Sequence, residues 1–278
     1  MFQFIANIFG YLLEWLYNGI GQNYGIALIL FTIILRIILL PLTIKQQKSM
    51  KKTTELQGKM QEIQFKYKNN PELMNKEIMD LYKRENLSPF SGCISSIVQI
   101  LIILSVFYLV SRPLTYMKKI DPGIIENYRN EISAENDGKI SNYYEIEIIQ
   151  KKAAQDENIK VNMDFLGLDL SKVPSQNMTD IKVYIIPILY VISSIFSIKM
   201  TTGKTKKKEQ NGSSEPDMTQ QMNKSMSYMM PIMAVSIAFV APLGLALYWL
   251  ISNILMILER IVINKYVDSK EEKTLCLK

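Results

Sequence analysis

The chain has 278 residues, 48% hydrophobic and 21% charged, with a formal net charge of +6. Histidine is absent and there are two cysteines, Cys93 and Cys276, which excludes a Ser-His-Asp triad, an H-E-x-x-H zinc site, a zinc cluster and a disulfide framework. The averages hide a segregation that a bilayer requires and a soluble core does not: residues 24–44 carry one charge, Arg36, while residues 93–111, 183–198 and 225–258 carry none.

Residues 1–23 are apolar and aromatic, with Glu14 as their one charge. They lack the basic start of a signal peptide, and no cysteine precedes Cys93 to carry a lipid anchor. They read as an interfacial helix on the outer face, with Tyr11, Trp15 and Tyr17 at headgroup depth; the alternative is an extension of the first span. Residues 24–44 have the length of a span, since about 20 helical residues cross a hydrocarbon layer of roughly 30 Å. Residues 45–92 then read as a helical hairpin. Met60, Ile63 and Tyr67 recur at helical spacing, as do Met74, Ile78 and Leu81, and Asn69-Asn70-Pro71-Glu72 supplies a break, a cap and a proline at the first helical position.

Residues 93–112 form the second expected span. Residues 113–181 form a long loop of mixed charge, to which the sequence assigns neither fold nor activity. Residues 182–199 are a short third span with Lys182 and Lys199 at its ends, placed to snorkel to the two surfaces. Residues 200–224 are a polar linker with Lys206-Lys207-Lys208. The apolar run that follows is too long for one crossing, and Ala241-Pro242-Leu243-Gly244 interrupts it. It divides into a fourth span, 225–241, and a fifth, 242–260, with a tail at 261–278. The expected fold is all-α, a polytopic membrane protein of five transmembrane helices.

Lysine and arginine set the orientation. Ten lie in residues 45–92, six in 199–227 and five in 259–278, against eight in the 113–181 loop, which also holds twelve Asp/Glu. The hairpin, linker and tail are therefore expected on the cytoplasmic side and the N-terminus outside.

Polar residues inside the spans are the functional candidates. Arg36 sits midway along the first span, where a charge costs at least ~2.5 kcal/mol and faces an interior or a wet cavity. Thr32 and Thr43 share its helix face. Gln99 lies one turn beyond Ser95, and Tyr248, Ser252 and Glu259 share a face of the last span, with Trp249 and Asn253 beside it. A groove open on one side suits these polar faces better than a sealed pore; the bland alternative for Arg36 is a cross-link to backbone carbonyls of another helix. Met218, Met222, Met226, Met230 and Met233 recur on one helix face, a flexible and polarizable surface suited to varied partners or to ordinary packing.

Several of these stretches resemble the YidC/Oxa/Alb family of membrane protein insertases. They are Ile33-Ile34-Leu35-Arg36 with Leu40-Pro41-Leu42-Thr43 and Lys45-Gln46; Asn86 to Cys93 with Pro89 and Gly92; Phe165-Leu166-Gly167-Leu168-Asp169-Leu170; Tyr228-Met229-Met230-Pro231-Ile232-Met233; and Pro242-x-Gly244-x-Ala246-Leu247-Tyr248-Trp249 with Ser252-Asn253. The likeness covers most of residues 24–112 and 164–260. Ser95 and Ile100 stand where prolines are common in the family, and Ser197 where a polar amide is expected. The short closing hairpin and the lack of a large extra domain resemble members from Gram-positive-type bacteria.

The resemblance implies five helices around a cytoplasm-open hydrophilic groove containing Arg36, Thr32, Gln99, Tyr248, Trp249, Ser252 and Asn253. It further implies a hydrophobic slide, for which Ile188, Ile192, Met226, Met230 and Met233 are the candidates. The implied activity is insertion and folding of nascent membrane proteins in the bacterial plasma membrane, alone or with the Sec translocon. The ribosome or signal recognition particle machinery and the phospholipid bilayer are the other implied partners. No enzymatic step, no cofactor, no metal and no direct nucleic-acid recognition is expected. The alternative reading is a small-anion transporter or channel with Arg36 as the ligand site. A membrane hydrolase is a weaker third, since no aspartate lies within the spans.

Overall fold

The computed structural model describes residues 2–85, 91–202, 233 and 236–275. The protein is all-α and polytopic, with one two-residue β-ladder among the described residues. The α-helices bounded within the described residues are, in chain order, α1 (Phe2–Gly19), α2 (Tyr24–Lys66), α3 (Pro71–Arg84), α4 (Ser91–Ser111), α5 (Pro113–Tyr116), α6 (Pro122–Glu135), α7 (Tyr144–Lys152), α8 (Ile185–Thr202) and α9 (Leu243–Leu275). Among the described residues, three stretches, Tyr24–Thr53, Ile181–Met200 and Leu243–Ile263, are long and apolar enough to cross a membrane, and α4 adds the shorter apolar stretch Ile97–Ser111. Most of the expected fourth span lies outside the described residues; Met233 and residues 236–240 within it are helical. Large apolar side chains stay exposed along α8 (Ile188, Ile192, Phe196), α2 (Ile37, Ile38) and α9 (Leu258, Val262), a belt that water would penalise and acyl chains accept.

α1 is separate from α2. Gly21 and Gln22 both adopt positive φ, +69° and +53°, and turn the chain; the Asn23 side chain then accepts from the Ile26 N–H at 3.1 Å and opens α2. α1 buries Ala6, Gly10, Leu13 and Tyr17, which share one face, against α4, α2 and α5, and exposes Phe4, Ile8, Tyr11 and Trp15.

α2 does not end with the apolar stretch. It runs 43 residues, about 65 Å, through Pro41 and into the charged segment. Residues 45–66 contain no proline, and the lone Gly58 is carried within the helix, so the first span and the first arm of the hairpin are one helix. The break falls at residues 67–70, where Asn70 accepts from the Leu73 N–H and Pro71 begins α3. α3 packs back on α2, joined by Lys59–Glu85 at 2.8 Å and by Tyr82 Oη donating to Met60 Sδ at 3.7 Å.

The 113–181 loop is a folded cap. α6 packs on α7, and their isoleucines Ile125, Ile132, Ile146 and Ile149 are buried with Ile159, Val161 and Met163. Asp164–Phe165 and Leu168–Asp169 pair as an antiparallel hairpin around Leu166 and Gly167, both at positive φ, as a tight primed turn demands. This segment fastens two long helices at their N-termini, where N–H groups lack partners within the helix. The Asn162 carbonyl accepts from the Tyr24 N–H at 3.0 Å; the Lys172 and Leu170 carbonyls accept from Leu243 and Gly244 N–H, both at 2.9 Å. Asn23 Nδ2 donates to the Asp164 carbonyl at 2.7 Å, and Tyr17 Oη accepts from the Asn162 N–H at 2.9 Å. Phe165 lies against Gly25 so closely that a Cβ there would sit 2.6 Å from the ring. α2 and α9 thus start from one clamp and run in the same direction.

Within the cap, Glu145 is wholly buried and its carboxylate accepts from Thr115 twice, from N–H at 2.9 Å and from Oγ1 at 2.6 Å. Burial pushes its carboxyl up, opposed by these hydrogen bonds. Glu145→Ala should therefore destabilise the cap by about 1–3 kcal/mol, because Thr115 loses a buried acceptor. Limited proteolysis should then cut within residues 113–181 at lower protease; an unchanged cleavage rate would mean that water replaces the carboxylate at no cost. Near the clamp, the hydrogen bond from Lys172, at 2.7 Å, holds the Asp180 carboxyl below the usual range. Its contribution is present above the unfolded carboxylate range and is lost as pH falls through the depressed value.

Candidate functional site

The seam between α2 and α9 holds the one charge of the first span. Arg36 lies about 18 Å along α2 from Tyr24, and Glu259 about 24 Å along α9 from Leu243. The shared clamp starts both helices beside each other, and the long side chains of Arg36 and Glu259 span the remaining offset of roughly 6 Å, so the two charges meet. Arg36 Nη1 lies 3.7 Å from Glu259 Oε2, with side-chain exposures of 13% and 11%. That separation is an ion pair beyond hydrogen-bond range, and Glu259 Oε2 is buried with no hydrogen-bond partner.

Thr32, one turn before Arg36, is buried, and its hydroxyl donates to the Leu28 carbonyl of its own helix at 2.7 Å. Tyr248 is buried on α9 within electrostatic reach of Arg36. Ser252 is buried one turn further on, its Oγ without a hydrogen-bond partner. Gln99 is half-buried on α4, which packs on both α2 and α9.

Two candidates turn toward α8 instead. Asn253 Nδ2 donates to Ser193 Oγ at 2.9 Å and Ser194 Oγ at 3.2 Å. Trp249 meets the Tyr190 ring, centroids 6.3 Å apart. Together they pin α9 to α8. Of the expected slide, Ile188 and Ile192 are exposed on α8 and Met233 is exposed, while Met226 and Met230 lie outside the described residues.

Sequence reasoning put Glu259 on the face of Tyr248 and Ser252 but did not pair it with Arg36. It passed over Ser193-Ser194, whose signal is two adjacent hydroxyls in an apolar span. An open concavity of about 1530 Å³ also lies in the cap, lined by Gln22, Glu147, Lys151, Asn162 and Ser171 among others. It sits at the start of α2, about 18 Å from the level of Arg36.

A match to the family described as 60Kd inner membrane protein covers residues 15–271. The chain belongs to this family. Similar members include a protein of Treponema denticola, 29% identical over 261 residues, and one of Oceanobacillus iheyensis, 28% identical over 272 residues, each named membrane protein insertase YidC. The alignments cover 94% and 95% of this chain, and 37% and 85% of those proteins. A Clostridium perfringens protein of the same name is 44% identical over 91 residues, covering 33% of this chain and 38% of its own. The chain spans little more than a third of the length of several of these family members.

Proposed function

We propose that this family member is a membrane protein insertase that carries short hydrophilic segments of client proteins across the bilayer along the α2–α9 seam. The observation that carries this reading is the guanidinium of Arg36, set within a span and held by a carboxylate that makes no hydrogen bond to it. The names of the similar proteins support it. The physics is direct. A polar chain entering a 30 Å apolar slab loses water from every backbone group. A hydrated seam shortens the dry path, and a charge in a low-dielectric surround draws an acidic residue of the client into it. The apolar part of the client then leaves along Ile188 and Ile192 into lipid.

The reading includes five spans, with α3 and the charged half of α2 in the cytoplasm and the cap outside the bacterial plasma membrane. The Lys/Arg count supports this orientation. The basic hairpin and the tail offer docking surfaces for the ribosome or targeting machinery, and the Sec translocon is a partner for larger clients. No bond is made or broken in this cycle. A small-anion transporter is disfavoured, because the family match and the names of the similar proteins both favour an insertase.

The test is photo-crosslinking to a stalled nascent membrane protein from a reactive residue at position 99, with position 124 on the cap as control. Crosslinks from 99 and not from 124 are expected; none from 99 removes the seam from the client's path. Protease added to wall-stripped cells should cut only within residues 113–181, and cleavage within residues 45–85 would reverse the orientation.

A further inference from the structure

We propose that Glu259 is the resident counter-ion of Arg36, and that it sets how strongly this protein favours clients with acidic tails, because a client carboxylate must take its place. The inference rests on the insertase reading and adds a specificity-determining residue to it.

Three observations carry it. Firstly, the pair is close but not locked. At 3.7 Å it lacks the two short parallel hydrogen bonds of a tight arginine–carboxylate fork, and Glu259 Oε2 accepts from no donor. A client carboxylate that reached 2.7–2.9 Å would make the bonds that Glu259 does not. Secondly, the pair bridges two different spans, so it belongs to the seam through which the client is proposed to pass. Thirdly, Glu259 stands near the end of the apolar stretch Leu243–Ile263. When displaced, its carboxylate has a short way to water and needs no second partner in the apolar layer.

Exchange of one carboxylate for another keeps the charge in the seam constant. The arginine is never left bare beside lipid when no client is present, and a neutral tail gains nothing by approaching it. An acidic tail must compete with Glu259. The resident acid therefore weakens the capture of acidic tails and makes their release easier.

The experiment measures insertion of two clients that differ only by Asp or Asn in the translocated tail. The parent, Glu259→Gln and Glu259→Asp are each the sole insertase in depleted cells. The readout is the ratio of Asp-tailed to Asn-tailed insertion, which cancels differences in the amount of folded protein. Glutamine is close to isosteric and removes only the competing charge, so the ratio should rise, by roughly fivefold for a coupling at the low end of the usual range. Aspartate keeps the charge, so the ratio should return toward the parent value. A ratio for Glu259→Gln equal to or below the parent's overturns the proposal, as does an equal rise with Glu259→Asp. A parent that inserts neither client overturns the insertase reading itself, and this inference with it.

Discussion

Gly10→Ala should detach α1 from the rest of the bundle. A Cβ at position 10 would overlap the carbonyl oxygen of Tyr116 and stand 2.6 Å from its carbonyl carbon. Both are backbone atoms of α5, so no side-chain rotation relieves the overlap. α5 cannot yield cheaply, because Leu114 and Tyr116 are buried and Thr115 is held by Glu145. Overpacking in a tight core costs about 1–3 kcal/mol and more where backbone must move. The expected result is a loss at or above about 3 kcal/mol, read as a lower Tm in detergent. Gly19→Ala is the matched control: no atom lies within 4 Å of its added Cβ, and alanine is the better helix former. Equal Tm values for the two variants would mean that α1 does not need its close approach to α5.

The apolar helices α2, α4, α8 and α9 were legible because charge and apolar residues segregate over lengths that match a bilayer, and local composition suffices for that. The Asn70-Pro71 start of α3 was legible too, since a cap and a proline act within one turn. The continuity of α2 was not. The drop in hydropathy after Ile44 marks where the surroundings change, and the helix has no reason to stop there. The cap was illegible for a different reason. Its folding depends on partners far along the chain, such as Asn162 with Tyr24 and Leu170 with Gly244, and no local pattern encodes them.

The candidate site divides the same way. Arg36, Tyr248 and Ser252 stand out singly, because a polar residue in an apolar span is conspicuous. Which of them meet depends on α2 lying beside α9 in the same direction, and that follows from the clamp at their N-termini. Asn253 shows the consequence. On a helix wheel it neighbours the polar face, yet Ser193 and Ser194 draw it to α8.

Arg36→Ala should have two separable effects. The first is on stability, because Glu259 is left as an unpaired carboxylate with 11% side-chain exposure. Breaking a fully buried pair by removing one partner costs about 3–5 kcal/mol; here both groups keep some exposure along a seam proposed to be hydrated, so about 2 kcal/mol is expected. The second is on function, since a seam with only Glu259 repels acidic tails instead of drawing them. The double variant Arg36→Ala with Glu259→Gln distinguishes the two. It removes both charges, so it should recover most of the lost stability, while insertion of an acidic-tailed client stays low. Arg36→Lys should keep much of both, because the pair at 3.7 Å uses charge and not the forked geometry that only guanidinium supplies. Thermal unfolding in detergent reads the first effect, and insertion in depleted cells with the tail charge varied reads the second. If the double variant restores acidic-tail insertion along with stability, Arg36 serves only to neutralise Glu259, and the attraction of client acids has no part in the mechanism.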